Sequence, residues 1–226
     1  MSEQDYGAAF SAWRAAAPDW QAYTHHAFVE GLRDGTLPRA AFLHYLVQDY
    51  VFLVHFSRAW ALGVVKAETL DEMKTCAATV DGLVNHEMQL HVSTCAEAGI
   101  DEAALFNATE EQPNLAYTRY VLDAGFSGDF LDLMAALAPC VMGYGEIGAR
   151  LKSEATSDAY RPWIKTYAGD EYQEVCRNVG RMIDDALRRR VAEDFQASPR
   201  WTALTERFAT ATRLEVGFWG MGLAGA

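Results

Sequence analysis

The chain has 226 residues, half of them hydrophobic, and a chain of that size buries about 70 to 75% of its unfolded surface, enough for one core. Nineteen Lys and Arg stand against 31 Asp and Glu, a net charge of −12, and no like-charge block exceeds Arg188 to Arg190, so a basic face for nucleic acid is excluded. No run of eighteen uncharged apolar residues occurs, and the opening MSEQDYGAAF lacks a basic and an apolar leader region; the expectation is a cytoplasmic protein with no membrane partner. Cys76, Cys95, Cys140 and Cys176 are scattered, without a C-x-x-C pair, which suits free thiols in a reducing compartment.

Prolines at 18, 38, 113, 162 and 199 punctuate the chain between apolar-periodic segments, and only Pro139 falls inside one. Residues 38–67 carry Phe42, Tyr45, Leu46, Phe52, Leu53 and Phe56 at helical spacing, with Asp49 interrupting the apolar stripe. Residues 70–98 form a second helix stopped by Gly99, and residues 115–124 a third stopped by Gly125. The stretch SGDFLDLMAALAPC starts a further helix from a Ser127 or Asp129 cap. Residues 169–192 and 198–221 complete the set. Alternating Val, Ile and Thr runs between turn dipeptides are missing. The expectation is one all-α domain, a bundle of about seven helices spanning residues 1–226, with no internal repeat.

Three residues are out of place in such a bundle. In LAPCVMGYGEIG a proline precedes Cys140 within a helical segment, at a cost of about 3 kcal/mol in an ordinary helix interior. Gly143, Gly145 and Gly148 each cost roughly 1 kcal/mol against alanine. Conflicts of this kind mark places where a backbone must closely approach a neighbour or a ligand. Cys140 shares a helix face with Tyr144. It is either a small inert core thiol on a kinked helix or a nucleophile. Asp49, among apolar neighbours, must find a partner or take up a proton; it is either an ion-pair residue or the floor of a pocket for an amine-bearing ligand. Glu215 in TRLEVGFWGMG is either a surface acid near a helix end or a second buried carboxylate. Tyr117, Tyr144 and Tyr167 lie near helix ends or glycines, where a phenol can pack its ring and present its hydroxyl.

His86, Glu87 and His91 in NHEMQLH match neither the H-E-x-x-H zinc motif nor the repeated Glu-x-x-His of di-iron bundles. No phosphate-binding glycine loop and no G-x-S-x-G elbow occurs. Metal, nucleotide and serine-hydrolase chemistry are therefore not expected, and no cofactor is assigned.

Taken in order, LVQDYVFLVHF, NHEMQLH, LAPCVMGYGEIG, WIKTYAGDEY and EVGFWGM resemble the TenA family, the thiaminase II enzymes, over residues 10–222. The resemblance implies a haem-oxygenase-like all-α fold with a pocket for 4-amino-2-methylpyrimidines. It further implies Cys140 as nucleophile, Asp49 as pyrimidine-binding carboxylate, Glu215 as catalytic acid and base, and Tyr117, Tyr144 and Tyr167 as pocket tyrosines. Phe52 departs from the family pattern, which has tyrosine one turn after the aspartate, so ring stacking is kept and a hydroxyl is lost. The implied activity is hydrolysis of 4-amino-5-aminomethyl-2-methylpyrimidine, and of thiamine, to the hydroxymethylpyrimidine, within thiamine salvage. The implied assembly is a homotetramer. Two rivals stand beside it: a metal- or haem-dependent oxidase on the same fold, and a non-catalytic pyrimidine-binding or regulatory protein.

Overall fold

Helix α9, Phe130–Glu154, runs through the middle of the molecule with 19 of its 25 residues buried, in a computed structural model that describes residues 5–225. Ahead of it lie α1 (Ala8–Ala16), α2 (Trp20–Thr24), α3 (Ala27–Asp34), α4 (Arg39–Lys66), α5 (Leu70–Gly82), α6 (Met88–Glu97), α7 (Glu102–Phe106) and α8 (Gln112–Ser127). After it come α10 (Arg161–Ala168), α11 (Asp170–Arg190) and α12 (Pro199–Ala224). No strand occurs among the described residues, and the all-α expectation is met. The outermost residues of the expected domain, 1–4 and 226, lie outside the described residues.

Among the described residues twelve α-helices stand where about seven were expected. The difference comes from short helices, α1, α2, α3, α7 and α10, that a period count merges or misses. Their ends are nevertheless chemically marked: α3 stops at Gly35, whose φ of 81° places it in the left-handed region. Residues 70–98 are not one regular helix either, because a π-helical turn, Leu83–Glu87, joins α5 to α6. Gly125 does not stop α8, which continues to Ser127. The cap of α9 is Asp129: its carboxylate accepts from the backbone N–H groups of Leu131 and Asp132, and Asp132 closes the reciprocal half of the box. Asp132 also binds Arg200 at 2.5 Å and Arg207 at 3.1 Å, tying the start of α9 to α12.

Pro139 does not interrupt α9, which stays helical from Phe130 to Glu154. The glycines after it explain why the sequence tolerates the poor propensity. A Cβ at Gly143 would stand 2.3 Å from Tyr23 Cε1, and one at Gly148 would stand 2.5 Å from the Tyr167 carbonyl carbon. Alanine at either position would push a neighbouring element away. Both neighbours lead to the cluster around Cys140. Helix α9 is long and apolar enough to cross a membrane by composition, yet 94% of the qualifying window is buried inside the bundle, so it is a core helix of this domain.

Candidate active site

Cys140 sits one turn before Tyr144 on α9, and both are buried. Asp49 and Phe52 come from α4, Tyr117 from α8, Tyr167 from α10 and Glu215 from α12, and all are buried. The structure thus brings together residues from five helices that are up to 166 positions apart in sequence (215 − 49). Glu215 is 1% exposed, which discards the surface-acid alternative.

Glu215 is enclosed by hydroxyl and thiol groups. Tyr117 Oη donates to its Oε1 at 2.8 Å, while the Tyr23 hydroxyl donates to the Pro139 carbonyl at 3.3 Å. Burial, opposed in part by Tyr117, Tyr23 and Cys140 and reinforced by the charge of Asp49, pushes the Glu215 carboxyl up to about 8. Burial likewise pushes the Cys140 thiol well above its ordinary value, with the charges of Glu215, Glu87 and Asp49 adding to the effect. The thiol is therefore protonated near neutral pH, and the carboxyl beside it accepts a proton only in its ionised form, whose population grows as the pH rises toward 8.

Asp49 resolves its burial through two partners. Tyr45 Oη donates to Oδ2 at 2.9 Å, and His91 Nε2 lies 2.6 Å from the same oxygen. His91 Nδ1 stands 3.0 Å from the backbone carbonyl of Glu87, an acceptor, so Nδ1 carries a hydrogen and Nε2 faces the carboxylate. Burial opposes charge on His91, but its hydrogen bond with Asp49 and the charge of Asp49 outweigh that, and its pKa is raised. Both bonds land on Oδ2. Oδ1 remains for a ligand that offers N–H donors.

A third carboxyl belongs to Glu87, in the π-helical turn. Tyr167 Oη donates to its Oε1 at 2.7 Å. Burial and the charge of Asp49 push Glu87 up to about 7 against the lowering effect of that bond. A cavity of about 510 Å³ opens beside it, with Cys140, Glu87, Leu53, Phe56 and Leu90 on the wall and the exposed Lys165 toward solvent. Of the seven expected site residues, Cys140 lines this cavity, and the other six form the packed shell behind it. Within that shell the Tyr144 and Tyr167 rings meet at 4.9 Å, and Phe52 and Tyr117 at 5.0 Å. Phe52 packs on Phe56 and Phe218 as well, so its ring is a stacking element with no hydroxyl to offer.

Four participants went unread in the sequence: Glu87, His91, Tyr45 and Tyr23. Glu87 and His91 carry a signal, since the pair stands one turn apart in NHEMQLH, but that spacing by itself points to a metal motif and not to a carboxyl beside a thiol. Among the described residues no group of three or more His, Cys, Asp or Glu side chains stands together as a metal site requires. Tyr45 stands one turn before Asp49 on the same stripe, where a buried carboxylate needs a donor. Tyr23 carries no local signal; only the fold brings α2 against α9.

The fold and this cluster define a class: an all-α bundle holding a buried thiol among three carboxyls and a set of phenols. A domain from Shewanella denitrificans described as having a heme oxygenase-like fold shares the all-α fold alone, with a TM-score of 0.69 over 93% of this chain and 90% of its own at 12% identity. The chain belongs to the TENA/THI-4/PQQC family, whose model matches residues 13–225. A structure from Silicibacter sp. TM1040, described as a TenA family transcription regulator, is 65% identical, with a TM-score of 0.96 over 99% of both chains. An uncharacterised protein of Haemophilus influenzae is 40% identical over 92% of this chain and 95% of its own length. An aminopyrimidine aminohydrolase of Halalkalibacterium halodurans is 36% identical over 94% of each chain.

Proposed function

We propose that this chain is an aminopyrimidine aminohydrolase that converts 4-amino-5-aminomethyl-2-methylpyrimidine, and more broadly thiamine, into 4-amino-5-hydroxymethyl-2-methylpyrimidine in thiamine salvage. The observation that carries this reading is the buried thiol of Cys140 on a cavity wall, with the buried carboxyl of Glu215 close enough to act on it. This arrangement joins a nucleophile to a proton acceptor in a water-poor site. The similarity to the Halalkalibacterium halodurans enzyme supports the same substrate class.

In this reading the thiol proton passes to Glu215 and the thiolate adds to C6 of the pyrimidine. Asp49, oriented by Tyr45 and His91, accepts hydrogen bonds from the ring N–H and the 4-amino group through its open Oδ1, holding the protonated and more electrophilic ring. The bond from the exocyclic CH2 to nitrogen then breaks with its electron pair leaving on nitrogen. Water adds to the methylene, its proton leaves with the amine, and expulsion of the sulfur restores the aromatic ring while Glu215 returns its proton to Cys140. Covalent catalysis divides one slow displacement into faster steps. Tyr144, Tyr167, Tyr117 and Phe52 form the aromatic shell that backs the cavity wall, and a cytoplasmic homotetramer is the assembly this reading carries.

A regulatory role is the second reading, favoured by the description of the Silicibacter protein. Incubation of the purified protein with thiamine and with the aminomethylpyrimidine, followed by mass spectrometry, separates the two. Accumulation of the hydroxymethylpyrimidine is the expected result, and unchanged substrate in both incubations overturns the enzymatic reading.

A further inference from the structure

Two of the three carboxyls near Cys140 differ in a way that assigns them different work. Glu215 is closed in: it is 1% exposed, stands off the cavity wall and accepts from Tyr117. Glu87 is open: it lines the cavity together with Cys140, and Tyr167 is the one side chain among the described residues that donates to its carboxyl, at Oε1. Oε2 is left for whatever occupies the cavity.

Resting on the aminopyrimidine reading above, the geometry points to Glu87 as the residue that recognises the leaving nitrogen, its carboxylate pairing with the exocyclic ammonium of the substrate while Cys140 engages the ring. The carbon attacked by the thiolate is the ring neighbour of the carbon bearing the aminomethyl group. A carboxyl on the same cavity wall as the thiol therefore faces that group. The preferred substrates are pyrimidines whose leaving group is a cation bearing N–H donors.

The proton count closes. A substrate arriving as ammonium meets a carboxylate, and one arriving as free amine takes the proton of the carboxylic acid, so both routes end in the same ion pair. The C–N bond breaks with its electrons on nitrogen, and ammonia departs with the three hydrogens it already holds. Water then gives hydroxide to the methylene and its proton to ammonia, which leaves as ammonium. Burial and the charge of Asp49 raise Glu87 to about 7, so about half of the carboxyl is protonated at neutral pH and more at pH 6.5. Ammonium binding favours the carboxylate, so the complex forms with release of a proton to the buffer.

The test uses calorimetry in a Cys140→Ser background, which prevents turnover, with and without Glu87→Gln. Two ligands are compared, the aminomethylpyrimidine and the neutral hydroxymethylpyrimidine. Loss of a charge-assisted hydrogen bond weakens binding by about 10- to 100-fold; that loss is expected for the amine, with the alcohol within about 3-fold. The alcohol also reports that the variant pocket is folded. In the Glu87 protein, titration at pH 6.5 in two buffers of different ionisation enthalpy reports proton release on amine binding, and Glu87→Gln abolishes it. Parallel losses for both ligands, or no proton release from the Glu87 protein, overturn the inference while leaving the pocket assignment standing. Failure of the Glu87 protein to bind either the alcohol or the amine removes the aminopyrimidine reading and this inference together.

Discussion

Glu215→Gln separates two consequences of one buried carboxyl. The side chain is 1% exposed, and its pKa stands at about 8 in the folded protein against 4.5 for the ordinary group. A raised folded pKa means that the native state binds the proton more tightly than the unfolded chain. Its stabilisation is fully present below about pH 4.5 and is lost as the pH rises through 8. Between pH 6 and pH 9 the linkage relation gives a loss of about 3 kcal/mol from this residue alone. Glutamine keeps the shape and the bond from Tyr117 but has no proton to lose. Urea unfolding of both proteins at pH 6 and pH 9 should therefore show the wild type losing about 3 kcal/mol more than the variant, with all other titrating groups cancelling in the comparison. Activity should fall by about 10² to 10⁴ on aminomethylpyrimidine and thiamine alike, since both need the thiol deprotonated. Parallel stability profiles would refute the buried, proton-holding carboxyl, and a loss confined to the aminomethyl substrate would move Glu215 from the thiol to the leaving group.

Asp49→Asn should weaken binding of the hydroxymethylpyrimidine by roughly one to two decades, the worth of a charge-assisted hydrogen bond, and unchanged affinity by calorimetry would return Asp49 to a purely structural partner of His91. Gly143→Ala should destabilise the protein by about 1 to 3 kcal/mol, because its methyl would meet Tyr23 at 2.3 Å; thermal melts at fixed pH measure this, and an unshifted midpoint would show that α2 yields freely.

The helical class was legible because Asp129 and Gly99 punctuate long apolar-periodic segments, and periodicity is a local property. The helix count was not, since α1, α2, α3, α7 and α10 are short, at five to nine residues each, and short helices are set by the packing of their neighbours more than by their own sequence. The π-helical turn was invisible for the same reason: residues 83–87 keep a helical composition. For the site, Cys140 and Asp49 announced themselves by violating a local rule, a thiol after a helix-interior proline and a carboxylate in an apolar stripe. Glu215 looked like any acid near a helix end, and its burial between Tyr117, Tyr23 and Cys140 is decided by contacts that span 75 to 192 positions (215 − 140 and 215 − 23). Glu87 and His91 were visible as a pair, but their meaning depends on Asp49 standing 2.6 Å from His91, a fact of tertiary structure.

The covalent role of Cys140 is the centre of the account, and the turnover number of Cys140→Ser on the aminomethylpyrimidine tests it most directly. A serine hydroxyl occupies nearly the same space but is a far weaker nucleophile, because its pKa lies far above that of a thiol and Glu215 is too weak a base to ionise it. The folded variant, verified by its unchanged melting transition, should retain less than about a hundredth of the wild-type kcat. Retention of about a tenth or more would contradict the covalent mechanism and leave Cys140 a packing residue at the cavity wall.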